Sequence, residues 1–338
     1  MDENSTNTEP NQGLSTALSY YSLYKTKPDS TQCLQKIFES TLNTQQTHQH
    51  QYQPTTTQFQ PWTKDEWTES CTHHAETKLQ QNQSICSDLS TKNCSSNDTI
   101  INKMEYLAPK KWDLFYKRNK TNFYKNRHYL EKAFPLDFDE GLYDSDKVLV
   151  EIGSGSGANV LPLIERGVRL KIFCFDFSKV AVDLLNEHPL FQPACQEGRA
   201  EARVWDITTP SDQNPNADIT MLLFCLSAIT PTKMLQAVQN ISSTLKPGGV
   251  VLFRDYGRYD EAQMKLGASK GKRISDNFYL KHDGTRCYYF DLEDVCVLFE
   301  GAGLDILELG YIQRLYFNRG TGMYRRRVWV QGRFRKPL

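Results

Sequence analysis

Short apolar runs alternate with amphipathic segments through the second half of the chain. Strand-like runs lie at 148–152, 171–175, 202–205, 219–226 and 250–253. Segments with helical periodicity follow most of these runs, which predicts an α/β fold with a mostly parallel sheet and helices on both faces. Two longer strands, at 306–317 and 324–334, are predicted to follow.

Other parts of the chain do not follow this alternation. Residues 1–58 are rich in Gln, Asn, Ser, Thr and His. They bury too little apolar surface to offset the entropy of ordering, so we expect a disordered tail. Residues 59–103 are predicted to be a partly ordered N-terminal extension, and residues 104–338 the main domain. Within this domain, residues 259–290 are predicted to be an insertion that covers the active site.

A turn with glycines at positions 153, 155 and 157 follows the first strand-like run. Glycine permits positive φ and close approach of a ligand to the main chain. The G-x-G-x-G spacing differs from the dinucleotide pattern G-x-G-x-x-G, and Glu151 beside the turn suits a cationic sulfonium. Asp176 ends the next strand, where an acid accepts hydrogen bonds from ribose hydroxyls. Together these residues resemble the S-adenosylmethionine site of the Rossmann-like methyltransferases, which favours a cofactor site over a structural turn.

Charge is unevenly distributed along the chain. The 40 basic and 40 acidic residues cancel, but the first 100 residues hold six Lys, no Arg and eleven acids. Residues 117–128 combine basic and aromatic side chains, which suits RNA binding and a solvated surface equally well. Residues 311–338 contain eight basic residues and no acid. A patch without counter-charge favours an anionic partner.

The sequence indicates neither a metal site nor a membrane segment. The nine cysteines form no C-x-x-C pair, and the Cys and His residues of segment 71–94 fit no structural zinc pattern, so we expect reduced thiols and no metal. No apolar run approaches the roughly 20 residues of a membrane span. The acidic, Arg-free start disfavours a mitochondrial transit peptide. We therefore expect a cytoplasmic protein, with a nuclear location left open.

A helix is predicted to begin after Pro109, with Trp112 and Tyr116 on one face. Core packing explains this aromatic pair as well as ligand binding does. Asp255, after the fifth strand-like run, is a candidate for contacting the substrate over the cofactor. An ion pair with the neighbouring Arg254 is an equal alternative.

Several longer motifs resemble those of one enzyme family. They include Trp112-Asp-Leu-Phe-Tyr-Lys117, Asn122-Phe-Tyr-Lys-Asn-Arg-His128, Leu252-Phe-Arg-Asp-Tyr-Gly257 and Asp283-Gly-Thr-Arg286. Over about residues 104–337 the chain resembles the tRNA N3-methylcytidine methyltransferases. The resemblance implies a Rossmann-like class I fold, dependent on S-adenosylmethionine, with a seven-stranded sheet and an antiparallel C-terminal strand. It also implies methylation of cytosine N3 at position 32 of the anticodon loop in threonine, serine or arginine tRNAs.

The resemblance also implies roles for individual residues. Cofactor binding is expected of Trp112, Tyr116, Gly153, Gly155, Asp176, Asp206, Ile207 and Leu223. The catalytic candidates are Asp255, Arg254 and Asn277, and the candidates for tRNA contacts are Arg127, His128, Tyr279, Arg286 and Arg319. The N-terminal extension is a further candidate for tRNA binding. Seryl-tRNA synthetase or another accessory protein is an implied partner.

The sequence is also compatible with other functions. A methyltransferase for a small molecule or another RNA would share the glycine turn, but a small-molecule enzyme would not need the basic C-terminal segment. A non-catalytic tRNA-binding subunit would share the basic body, although the acids expected at a cofactor site are present. NAD-dependent reduction is disfavoured by the glycine spacing and by Glu151.

Overall fold

A computed structural model describes residues 73, 76–80, 94–120, 129–138, 140–143, 146–210, 215–318 and 323–338. The predicted tail at 1–58 lies outside the described residues. Residues 76–80 of the N-terminal extension are helical and contact the main domain. There Glu76 Oε1 accepts a hydrogen bond from the Tyr259 hydroxyl at 2.8 Å, and Leu79 is buried.

The helices that precede the sheet are α1 (Cys94–Asn119), α2 (Leu130–Ala133) and α3 (Glu140–Tyr143). The prediction that the first helix begins after Pro109 is wrong, because α1 runs through the proline. Proline removes one i→i−4 hydrogen bond, to the carbonyl of Glu105. This is one bond in a helix of 26 residues, and the next turn docks through the buried Phe115 and Tyr116.

The strands of the described residues form two sheets. In chain order they are β1 (Val148–Ile152), β2 (Lys171–Asp176), β3 (Ala200–Val204), β4 (Ala217–Leu223), β5 (Leu245–Tyr256), β6 (Arg273–Ser275), β7 (Phe278–Leu280), β8 (Arg286–Tyr288), β9 (Asp305–Asn318) and β10 (Met323–Arg335). The main sheet has seven strands in the order β3-β2-β1-β4-β5-β10-β9. Strands β1 to β5 are parallel, and β10 is antiparallel to both of its neighbours. The predicted fold is confirmed.

Helices cover both faces of the main sheet. They are α4 (Val160–Glu165), α5 (Lys179–Asn186), α6 (Phe191–Gln196), α7 (Pro231–Thr244), α8 (Glu261–Gly267) and α9 (Leu292–Gly301). Alternate strand residues point to opposite faces, so Ile152 and Phe253 pack with α7 and α9, whereas Leu149 and Leu252 pack with α4, α5 and α6. Each fully buried apolar side chain of this size contributes about 2 kcal/mol.

The insertion after β5 contains α8 and the small antiparallel sheet β6-β7-β8. It lies beside two other elements of the fold. Gly284 lies against Lys111 of α1, and α8 contacts β10. The insertion therefore links α1 to the C-terminal hairpin.

Three arginines of β10 have close acidic partners. The pairs are Arg325–Glu261 at 2.7 Å, Arg327–Asp260 at 2.6 Å and Arg333–Asp137 at 2.7 Å. At these three positions the expectation of a patch without counter-charge is wrong, because acids distant in sequence supply the counter-charge. Only residues far apart in the chain, brought together by the fold, make these pairs.

In the part of the chain that the structure describes, no helix has the length and apolar character of a membrane span. The same residues contain no group of three His, Cys, Asp or Glu side chains arranged to hold a metal ion. Free thiols are found at Cys174, Cys195, Cys225 and Cys287.

Asp260 provides a test of how the insertion is attached. It is fully buried, and its Oδ2 accepts from Arg327 Nε at 2.6 Å and from the Val328 N–H at 3.0 Å. Asp260→Ala leaves both donors without this acceptor, so we expect the free energy of unfolding to fall by about 3 kcal/mol. Glu201→Ala, in the exposed pair with Arg203, should change it by less than about 1 kcal/mol. Urea denaturation measures both, and equal losses would contradict the prediction.

Candidate cofactor and substrate site

A cavity of about 490 Å³ lies at the carboxyl ends of β1, β2 and β4, with α1 along one wall. In open parallel sheets, ligands bind at this edge, beside the point where the strand order reverses. The predicted cofactor-binding residues all line this cavity, namely Trp112, Tyr116, Gly153, Gly155, Asp176, Asp206, Ile207 and Leu223. The structure thus brings together residues widely separated in sequence, while their individual roles stay predictions.

The glycine turn after β1 forms part of the cavity wall. Gly153 has φ 67° and Gly155 has φ 54°, in the left-handed region that favours glycine. A Cβ on Gly153 would lie 2.5 Å from Sγ of Cys225, and a Cβ on Gly155 would collide with the hydroxyl of Tyr116. Both backbone conformation and close packing therefore require glycine at these positions.

The carboxylate of Asp176 joins the end of β2 to the glycine turn. Its Oδ2 accepts from the backbone N–H of Gly155 and its Oδ1 from that of Ser178, both at 2.9 Å. Burial raises the pKa of Asp176 to about 6, against the lowering effect of these hydrogen bonds. A carboxylate has about four acceptor sites, so Asp176 can also accept from two hydroxyl groups, such as those of a ribose.

Glu151 does not line the cavity, so its carboxylate does not meet a bound sulfonium directly. Its side chain is buried, and Oε1 accepts a hydrogen bond from Nδ2 of Asn159 at 2.6 Å. Asn159 and Ile152 line the cavity instead, because consecutive residues of a strand point to opposite faces. Glu151 therefore orients Asn159 from behind the wall.

Two aromatic side chains of α1 form the opposite wall. The rings of Trp112 and Tyr116 are stacked, with centroids 6.1 Å apart. Between them in sequence, Oδ1 of Asp113 accepts a hydrogen bond from the Ser178 hydroxyl at 2.7 Å. Because Ser178 is the N-cap of α5, this bond fixes the aromatic wall to the sheet edge that carries Asp176.

The segment after β3 contributes a polar and an apolar group. Oδ1 of Asp206 accepts from the backbone N–H of Thr208 at 2.9 Å and from its hydroxyl at 2.8 Å. Ile207 is buried beside it. An apolar surface next to an acceptor suits a planar heterocycle with an amino group.

Asp255 and Arg254 point to opposite faces of β5, and neither lines the cavity. Asp255 is fully buried and accepts from the Ser227 N–H at 2.9 Å and the Tyr256 N–H at 2.8 Å. Arg254 Nε donates to Oε1 of Gln331 at 2.9 Å. The alternative of an Arg254–Asp255 ion pair is wrong, because side chains alternate along a strand.

The turn after β4 carries a residue that sequence reasoning missed. Phe224 lines the cavity and has φ 57°, which is uncommon outside glycine. Its ring packs against Tyr256 at 5.1 Å and Trp329 at 5.9 Å between centroids. No local pattern signals a left-handed phenylalanine or its contact with β10. Asp255 supports the same turn through Ser227.

The remaining candidates do not come together. Asn277 and Tyr279 line a second, polar pocket of about 400 Å³ beside residues 76–80. Arg286 lines the first cavity but is buried, and it pairs with Glu105 rather than facing solvent. Three candidates lie outside the described residues, namely Arg127, His128 and Arg319.

The cavity fits S-adenosylmethionine on the evidence of its own residues. The glycine turn forms part of the cavity wall, Asp176 offers acceptors for a diol, and Trp112 and Tyr116 present an aromatic surface. An aromatic face also attracts a cation such as a sulfonium. Together with the sheet order, these features define a class I S-adenosylmethionine-dependent methyltransferase.

Comparisons with known proteins show to which family of methyltransferases the chain belongs. A family model described as a methyltransferase domain matches residues 118–309. The chain is 36% identical over 271 residues to human tRNA N(3)-cytidine methyltransferase METTL6, covering 79% of this chain and 90% of that protein. It is 36% identical over 292 residues to Drosophila melanogaster tRNA N(3)-methylcytidine methyltransferase Mettl2, covering 83% and 85%. The chain therefore belongs to the tRNA N3-methylcytidine methyltransferase family.

Asp176 gives a direct test of the cofactor site. Asp176→Ala removes the acceptors offered to ribose hydroxyls, so we expect affinity for S-adenosylmethionine to fall by about 1–3 kcal/mol. Isothermal titration calorimetry on purified protein measures this loss. Asp183→Ala, on the exposed side of α5, serves as the control and should bind as the unmodified chain does. Unchanged affinity in Asp176→Ala would refute the placement of the ribose.

Proposed function

We propose that this enzyme transfers the methyl group of S-adenosylmethionine to N3 of cytosine 32 in the anticodon loop of threonine, serine or arginine tRNAs. The observation that carries the proposal is one cavity containing all eight predicted cofactor residues, in a chain whose relatives are named tRNA N(3)-cytidine methyltransferases. A loop nucleotide suits this cavity because its base can leave the stack at low cost.

The chemistry asks little of a general base. S-adenosylmethionine supplies an electrophilic methyl group, and neutral cytosine already presents a lone pair at N3. As the bond from N3 to the methyl carbon forms, the bond from that carbon to sulfur would break and release S-adenosylhomocysteine. Positive charge would thus pass from the sulfonium to the cytosine ring, so negative charge nearby would stabilise the transition state. Most of the acceleration is expected from holding N3 in line with the methyl group.

In this proposal Asp255 positions the site rather than touching the base. It fixes the turn after β4 through the Ser227 N–H, and that turn places Phe224 at the cavity wall. Burial raises the pKa of Asp255 to about 6, against the lowering effect of its hydrogen bonds from Ser227 and Tyr256. Arg254 supports β10 through Gln331, and Asn277 belongs to the insertion.

The outer face of α1 suits the RNA backbone. Exposed basic residues there include Lys103, Lys110 and Lys117, and Tyr106 is 85% exposed at the cavity. Two acids of the same helix, Glu105 and Asp113, are engaged by partners on the main domain. Basic side chains around an exposed aromatic ring are typical of surfaces that contact phosphates and stack on bases.

The proposal also covers the N-terminal extension, the location of the enzyme in the cell and its partner protein. We propose that the N-terminal extension assists tRNA binding and that the enzyme works in the cytoplasm. Seryl-tRNA synthetase or another accessory protein is the proposed partner, because a partner that holds the same tRNA raises its effective concentration at the cavity. The basic and aromatic character of residues 117–128 supports the tRNA substrate.

Purified full-length protein mixed with S-adenosylmethionine and total tRNA should produce N3-methylcytidine. Nucleoside mass spectrometry detects the product, and sequencing of the modified tRNAs gives its position. A parallel reaction with added cell extract supplies any accessory protein. Absence of the nucleoside in both reactions would overturn the proposal, and a modification at another position would overturn the assignment to cytosine 32.

The outer face of α1 can be tested separately. Lys103→Ala and Lys110→Ala should each weaken tRNA binding and reduce the slope of log affinity against log salt by about 1. Affinity for S-adenosylmethionine should not change. Lys171→Ala is the matched control. Lys171 is exposed at the amino end of β2, whereas the cavity lies at the carboxyl ends of the strands. Equal effects from the three substitutions would contradict a specific RNA-binding face.

A further inference from the structure

A cluster of charged and polar groups joins three elements at one side of the cavity. Oε2 of Glu105, on α1, accepts hydrogen bonds from Nη1 of Arg286 and the hydroxyl of Thr230. Nζ of Lys233 lies 3.0 Å from the other carboxylate oxygen. Arg286 Nη1 also donates to Thr230 Oγ1 at 2.8 Å. Glu105, Lys233 and Arg286 all line the cavity.

The cluster holds a strong charge pair. Burial would raise the pKa of Glu105, but the charge of Arg286 and the hydrogen bonds from Thr230, Arg286 and Lys233 lower it to about 2. Arg286 is only 6% exposed. Its guanidinium is therefore directed at α1 rather than at a phosphate outside the protein.

Glu105 shares a helix face with the aromatic wall. Residues spaced three, four, seven or eleven apart lie along one side of a helix, and Glu105, Pro109, Trp112 and Tyr116 all line the cavity. The same face meets the glycine turn, where the Tyr116 hydroxyl occupies the space that a side chain on Gly155 would need.

Two attachments hold α1 on either side of its proline. Glu105 lies before Pro109, and Asp113, bonded to Ser178 at 2.7 Å, lies after it. The proline removes a main-chain hydrogen bond between these points. The helix is therefore least stiff between its two attachments. Lys281 of the insertion also lies over the Trp112 ring, 5.5 Å from its centroid.

We infer that Glu105 is a positioning residue: through Arg286 and Thr230 it holds α1 so that Trp112 and Tyr116 close the cofactor cavity. The inference assigns Arg286 to the cofactor side of the reaction instead of to tRNA contact. It also makes the insertion, which carries Arg286, a determinant of cofactor affinity.

A double-mutant cycle on cofactor binding tests this inference. Glu105→Gln and Arg286→Met should each weaken S-adenosylmethionine binding about 10-fold in calorimetry, and the double variant should bind no more weakly than either single variant. Amide hydrogen exchange in α1 should be faster in each variant, both with and without the cofactor, because the attachment is lost. The measurement needs no tRNA, so its result is independent of which RNA is methylated.

Glu261→Gln is the matched control. Glu261 of α8 also bridges two elements, through Arg325 of β10, and it pairs with Lys265 of its own helix. It lies outside the cavity lining. It should leave cofactor affinity and exchange in α1 unchanged. Circular dichroism establishes that each variant is folded. Unchanged affinity in folded Glu105→Gln, losses that add in the double variant, or an Arg286→Met variant impaired only in tRNA binding would each overturn the inference.

Discussion

The paired hydrogen bonds of Asp176 are the interaction on which the site depends. One carboxylate accepts from the glycine turn after β1 and from the N-cap of α5, so two loops at the sheet edge share one acceptor. Ser178 passes the connection on to Asp113 of α1. A continuous path of hydrogen bonds thus links the floor of the cavity, the proposed ribose acceptor and the aromatic wall. Moving any one of them disturbs the others.

Buried carboxylates serve the same purpose elsewhere in the fold. Asp255 fixes the turn after β4 and Asp260 fixes the start of the insertion, each through backbone N–H groups. Burial raises the pKa of both side chains, which shows that desolvation outweighs their hydrogen bonds. These acids cost stability as isolated charges, yet they define the loops that surround the cavity. With their donors in place they define the loops, and removing either acid would leave buried N–H groups without an acceptor.

Local pattern predicted most of the fold but little of the side-chain pairing. The strands follow from the periodicity of apolar residues, and the glycine turn follows from the conformational range of glycine. Both signals can be read from residues that are close together in the sequence. The pair Glu105–Arg286 joins residues 181 positions apart, so no local signal exists for it. Strand alternation could have separated Arg254 from Asp255 in advance, since adjacent strand residues cannot share a face. The left-handed backbone of Phe224 reflects contacts with β10 that only the fold creates.

Helix α1 combines two roles that are usually divided between elements. Its inner face closes the cofactor cavity, and its outer face carries the basic residues proposed to meet RNA. If tRNA binding shifts or stiffens this helix, it must change cofactor affinity, and by linkage the cofactor must change tRNA affinity by the same factor. The attachments at Glu105 and Asp113 set the size of that coupling, because a rigidly held helix transmits less displacement than a loosely held one. Under that condition the insertion, which supplies Arg286, would affect how strongly each substrate changes the affinity for the other.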